Sequence, residues 1–105
     1  DFALYEGMAG YRAEYSFSKA GMIGFTRYLA AYLAPDQVRA NCVILGGVES
    51  EKLPADFAGR FAGRTLSGRM ARAADIQGPA VFLASEASAY ITGESIAVDG
   101  GWLVR

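Results

Sequence analysis

The run from Tyr15 to Ala34 constrains this chain more than any other stretch. It carries Met22, Ile23, Phe25, Leu29, Ala30, Ala31 and Leu33 with few charges between them. The spacing predicts a helix that is apolar nearly all round, and such a helix is buried on more than one side. One face is expected on a sheet and another on a partner. Gly21 and Gly24 would each cost about 1 kcal/mol relative to alanine on an exposed helix, and close helix–helix approach is one reason to accept that. Pro35 ends the run, because the residue before a proline avoids the helical region. Asp36-Gln37 turns the chain. Val38 to Leu45 then reads as a buried strand with a continuous apolar end, the pattern of a parallel strand covered on both faces. Gly46-Gly47 breaks it. Helix, buried strand and glycine turn in that order point to the α/β class.

The remaining stretches are shorter. Asp1 to Glu14 reads as a loop with Gly7 and Gly10. Glu49 to Ser67 is irregular, with a short helix over Ala55 to Phe61. It comes after a strand end, which is where open α/β sheets bind ligands. Ala73 to Ala84 is a second helix, with Asp75 in its first turn, where a negative charge suits the helix dipole. Pro79 inside it removes the bond to the Asp75 carbonyl and should kink it. Ser95 to Val98 is a final short strand. Asp99-Gly100-Gly101 closes it, and Trp102 to Val104 form an apolar tail.

Composition excludes several function classes. The 105 residues fit at most one domain, and 52% hydrophobic with 20% charged residues fit a globular core. A net charge of −1 with no basic run offers no surface for nucleic acid. There is no histidine, so neither a histidine metal site nor a histidine base is available. Cys42 is the only cysteine, which excludes an internal disulfide and a cysteine-pair zinc site. Beside Val43 and Ile44 it reads as a buried thiol. No segment is long and apolar enough to span a bilayer, and no signal peptide opens the chain, so a cytoplasmic setting is expected. The first methionine is Met8, which suggests a piece of something longer.

Chemistry enters at Tyr15-Ser16-Phe17-Ser18-Lys19. A spacing of four places Tyr15 and Lys19 on one helix face, one turn apart. A fixed ammonium beside a phenol favours the phenolate, and the pair could pass a proton to or from an alcohol. A pentad of this form also occurs as an ordinary amphipathic contact.

Three stretches together resemble one family. Tyr15 to Ala20 resembles its active-site motif. Gly68-Arg69-Met70-Ala71-Arg72, with Asp75-Ile76 and Phe82-Leu83-Ala84-Ser85, resembles its late helix. Ile91-Thr92-Gly93-Glu94, running to Val98-Asp99-Gly100-Gly101, resembles its last strand. The family is the classical short-chain dehydrogenases/reductases, whose Rossmann fold uses NAD or NADP. The resemblance implies that residues 1–105 form the C-terminal portion of one doubly wound parallel domain. It implies Tyr15 as catalytic acid/base and Lys19 on the nicotinamide ribose. It also implies Gly46-Gly47-Val48-Glu49-Ser50 as the nicotinamide loop, with the Val48 backbone at the carboxamide and the Ser50 hydroxyl as a second contact. A solvated turn serine is the plainer reading of Ser50. The Tyr15–Ala34 helix would join a bundle that makes a homodimer or homotetramer.

The departures are specific. Leu45 stands where the family usually has proline, leaving a free N–H and a looser φ before Gly46. Ala73 and Ala74 replace a common proline and acid. No serine occurs between Asp1 and Glu14, where the family's catalytic serine would be sought. The run Phe2 to Gly7 reads as an extension that could border the substrate. The glycine-rich dinucleotide turn is absent, and neither Gly46-Gly47 nor Gly100-Gly101 has its spacing.

The implied activity is hydride transfer between NAD(P) and a secondary alcohol or ketone. Tyr5, Glu6, Tyr11 and Arg12 suggest a polar substrate such as a sugar derivative. The alternatives are a catalytically silent relative that binds a nucleotide or partner, and a truncated product without function. Because two strands do not make an independent parallel sheet, residues 1–105 alone are expected to bind no nicotinamide cofactor and to fold poorly.

Overall fold

The computed structural model describes residues 13–54 and 56–104. The loop reading of residues 1–12, and the substrate-facing roles of Tyr5, Glu6, Tyr11 and Arg12, lie outside the described residues. The element order is α1 (Ala13–Leu33), β1 (Cys42–Leu45), α2 (Phe57–Ala62), α3 (Ala73–Ala84) and β2 (Ser95–Val98). The strands pair in parallel, Cys42 opposite Ser95 through Leu45 opposite Val98. A parallel pair needs a long crossover, and the segment carrying α2 and α3 supplies it. The expected α/β order is therefore present.

α1 takes in Ala13 and Glu14, which the sequence pattern alone assigns to a loop. Both are strong helix formers, and Glu14 in the first turn complements the dipole. Pro35 sits in a 3₁₀ turn, Ala34–Asp36, and Gln37 closes it in the left-handed region at φ 57°. The Gln37 N–H donates to the Ala34 carbonyl at 3.0 Å and the Val38 N–H to Leu33 at 3.3 Å. These bonds take up carbonyls that the helix end leaves without partners.

β1 is shorter than the apolar run Val38 to Leu45. Pairing does begin earlier: the Gly93 N–H donates to Ala40 O at 2.7 Å and the Cys42 N–H to Glu94 O at 2.9 Å. Two polar side chains serve other ends there. Arg39 donates to the carbonyls of Leu83 (2.8 Å), Ser85 (3.1 Å) and Ile91 (3.1 Å), so its guanidinium closes the C-terminus of α3. Asn41 donates to Ile91 O at 2.9 Å and accepts from the Glu94 N–H at 3.1 Å, which fixes the entry to β2.

The core is small and lies beyond one end of the strands. Phe57, Phe61 and Met70 are buried together, with Leu53 and Trp102 against them. Phe61 stacks on Trp102 at 4.5 Å between ring centroids and 14° between planes. The apolar tail thus packs as part of this core.

α1 departs from the burial expected of it. It packs on β1, yet only Thr26 and Ala30 are buried. Phe17, Phe25, Tyr28 and Tyr32 stand exposed, and the last three stack in a ladder at 6.2 and 5.8 Å. A Cβ at Gly21 or Gly24 would meet nothing within 4 Å. Within this chain the helix has one sheet to lie on and no second partner among the described residues, so its other apolar faces stay open. No helix among the described residues is long and apolar enough to cross a membrane.

Candidate active site

The two strands end side by side, and close backbone approach sets the turn that leaves β1. The Gly46 N–H donates to Val98 O at 3.0 Å. A Cβ on Gly46 would lie 2.8 Å from the Asp99 Cα, and one on Gly47 would lie 2.5–2.7 Å from the Phe61 ring. A side chain at either position would force its neighbour to shift. The chain then runs beside a second segment. The Ala71 N–H donates to Gly47 O and the Glu49 N–H to Ala71 O, both at 2.8 Å, so Val48 and Ala71 form a parallel bridge. In such a bridge the residues on either side of Val48 supply the bonds. The N–H and C=O of Val48 itself point the other way, away from Ala71.

Two hollows adjoin this turn. A cavity of about 270 Å³ is lined by Gly46, Gly47, Phe61, Arg69, Asp75 and Asp99, among others. A shallower groove of about 440 Å³ lies along Glu49, Ser50, Glu51, Leu53, Ala58 and Met70. Ser50 is exposed, and its hydroxyl accepts from the Lys52 N–H at 3.3 Å. This is the plainer serine-turn reading, and it leaves Ser50 on the wall of the groove.

Tyr15 and Lys19 lie in the first turns of α1, both exposed. The Lys19 ammonium sits 5.7 Å from the Tyr15 ring centroid, so the helix does bring the two together. Neither lines the two hollows.

Several residues that shape the site were given no part in it by the sequence reading. Arg69 makes a bidentate pair with Asp75, at 2.6 Å from Nη1 to Oδ2 and 2.9 Å from Nη2 to Oδ1. The Asp75 Oδ2 also accepts from the Arg72 N–H at 2.7 Å. The Arg69 side chain first, then the Arg72 N–H, hold the Asp75 carboxyl well below the usual carboxylate range. α3 therefore starts on a strong anchor despite Ala73 and Ala74. Asp99 accepts from the N–H groups of Leu103 and Gly101, both at 2.9 Å, and these bonds lower its pKa. An isolated arginine in an apolar strand run was the available signal for Arg39, and an aspartate before two glycines was the signal for Asp99. Among the described residues, no group of three or more His, Cys, Asp or Glu side chains is placed to hold a metal ion.

The family model described as enoyl-(acyl carrier protein) reductase matches residues 2–103. A 2-dehydro-3-deoxy-D-gluconate 5-dehydrogenase of Dickeya dadantii is 40% identical over 96 residues, which are 87% of this chain and 38% of that protein. Dehydrogenase/reductase SDR family member 6 of Rattus norvegicus is 37% identical over 100 residues, covering 87% of this chain and 41% of that protein. The crystal structure of a short-chain dehydrogenase from Leptospira borgpetersenii with bound NAD+ superposes with a TM-score of 0.81. It is 36% identical, over 95% of this chain and 41% of that one. A putative NAD(P)-dependent gluconate 5-dehydrogenase from Beutenbergia cavernae with bound NADP gives a TM-score of 0.80 at 40% identity, over 89% of this chain and 39% of that one. The chain spans about two fifths of the length of these relatives. It is a part of a Rossmann-type α/β fold, and it belongs to the short-chain dehydrogenase/reductase family.

Proposed function

We propose that this chain is the catalytic-end portion of an NAD(P)-dependent oxidoreductase acting on a secondary alcohol or its ketone. The observation that carries the reading is the Val48 backbone. It is held at the strand end by its neighbours' bonds to Ala71, with its own N–H and C=O directed away from Ala71. A nicotinamide carboxamide offers one acceptor and one donor, which is what that backbone can meet. Gly46 and Gly47 let the turn pack closely on Asp99 and Phe61, and the residues present fit the group. When bound, the nicotinamide supplies or takes the hydride.

The chain's own residues do the rest. Val48 orients the ring through its backbone, and the Ser50 hydroxyl adds a second polar contact. Lys19 binds ribose hydroxyls through its ammonium. Tyr15 gives a proton to the carbonyl oxygen in reduction and takes it back in oxidation. Lys19 stands one turn away, its ammonium 5.7 Å from the Tyr15 ring centroid. A sugar-like polyol or sugar acid is the substrate class that the similar dehydrogenases suggest. The exposed ladder of Phe25, Tyr28 and Tyr32 supports assembly as a homodimer or homotetramer through the Tyr15–Ala34 helix.

The reading is tested by titrating the full-length protein with NADH and NADPH by fluorescence. Its turnover of sugar acids and polyols is then assayed with the cofactor that binds. Saturable binding of one cofactor with turnover of any secondary alcohol supports the reading; binding of neither removes it.

A further inference from the structure

We propose that Asp75 and Arg69 are positioning residues for the Val48 loop, holding the segment against which it pairs. The inference rests on the assignment of that loop to the nicotinamide.

Beyond the Gly46 N–H bond to Val98 and the packing of Gly47 on Phe61, the loop is held by the facing segment, Arg69 to Arg72. That segment carries both bonds of the Val48–Ala71 bridge. It also carries Arg72, whose Nε lies 3.9 Å from the Glu49 carboxylate. The segment needs fixing in turn, since it lies between the left-handed Gly68 and the start of α3. Met70 fixes it from below, buried at 3% exposure against Phe57 and Phe61. Asp75 fixes it from above. One of its oxygens takes the Arg72 N–H and an Arg69 N–H; the other takes the second Arg69 N–H. Arg69 also donates to Met70 O at 3.0 Å, so its planar fork binds the segment to itself and to α3.

Energetics separate this role from a stability role. The pair is partly exposed, with side-chain exposures of 45% and 32%, so solvent screens it and its loss should unfold little. Its geometry matters more than its charge. A lysine in place of Arg69 keeps the charge but loses the two-pronged grip. An asparagine in place of Asp75 loses it too, while a glutamate shifts it by one methylene.

The experiment uses the full-length protein as wild type, Asp75→Asn, Asp75→Glu and Arg69→Lys. Amide hydrogen exchange without cofactor is read at Glu49 and Ala71, with Cys42 and Ile44 in β1 as the internal reference. Exchange at Glu49 and Ala71 should rise about tenfold in Asp75→Asn and Arg69→Lys with the β1 amides unchanged, and Asp75→Glu should recover part of the protection. That arm stands whether or not the loop binds a nicotinamide. In steady-state kinetics, KM for the cofactor should rise several-fold with KM for the alcohol unchanged. Unchanged exchange at Glu49 and Ala71 overturns the proposal, as does a uniform rise that includes β1. If exchange rises as expected but cofactor KM stays put, the clamp holds the loop but the loop is not the nicotinamide's, and the positioning role for that cofactor falls with it.

Discussion

Gly47→Ala tests the packing on which the strand-end turn depends. The backbone of Gly47 is not in the left-handed region, so alanine meets no conformational strain there. On that count alone, the substitution would stabilise by about 0.4–1 kcal/mol, through a less free unfolded chain. The steric count opposes it. The new methyl would sit 2.5–2.7 Å from three carbons of the Phe61 ring. That ring cannot retreat freely, because it is buried at 6% exposure and stacks on Trp102 and against Phe57. Overpacking of this kind costs about 1–3 kcal/mol. The balance is a net loss of roughly 1–2 kcal/mol, or about 2–8 °C in Tm for a domain of about 150–250 residues. Urea denaturation of the full-length protein measures it. Phe61→Leu makes room for the methyl, so the double variant should be more stable than the sum of the single losses by about 1 kcal/mol. A stabilised Gly47→Ala, or strict additivity with Phe61→Leu, would refute the steric reasoning.

Two other outcomes are expected from the same structure. Residues 1–105 expressed alone should aggregate or melt without cooperativity, because the buried apolar cluster among the described residues is only Phe57, Phe61 and Met70, while the ladder on α1 stands open. A sharp calorimetric transition from monodisperse material contradicts this. Acid should also act through Asp75 and Asp99. Both carboxyls are lowered in the folded chain, so the unfolded chain binds more protons once pH falls below about 4, the unfolded value. Their contribution is present above that pH and is lost as pH falls toward the folded values. The fall in Tm below pH ~4 should therefore be shallower in Asp75→Asn than in wild type; parallel curves would show that the Arg69 pairing adds nothing.

Much of the fold was legible because its signals are local. Pro35 marked the end of α1 to within a residue, and the β-rich run Ser95 to Val98 became β2 as read. Ala73 to Ala84 holds as one helix with Pro79 within it. The trimming of β1 was less visible, since Arg39 and Asn41 look out of place in a strand until their targets at Leu83, Ser85 and Ile91 are known. Those partners lie far along the chain, and no local pattern encodes them. The open faces of α1 have the same origin: an all-round apolar helix says that it needs cover, not where the cover comes from. At the site, the Tyr15–Lys19 pair came from helix spacing alone. The Arg69–Asp75 grip did not, because a first-turn aspartate reads equally well as a dipole partner. The glycines at Gly46 and Gly47 could be read as a break, but the Asp99 backbone and the Phe61 ring that require them appear only in three dimensions.

The central claim is that Tyr15 moves the proton while the Val48 loop holds the cofactor. Tyr15→Phe in the full-length protein removes the hydroxyl and keeps the ring. Single-turnover hydride transfer and cofactor affinity should be measured on the same preparation. Turnover should fall by about a hundredfold to ten-thousandfold, the scale of a lost acid/base, with cofactor affinity within a few-fold of wild type. Turnover within tenfold of wild type would contradict the claim and remove Tyr15 from the chemistry.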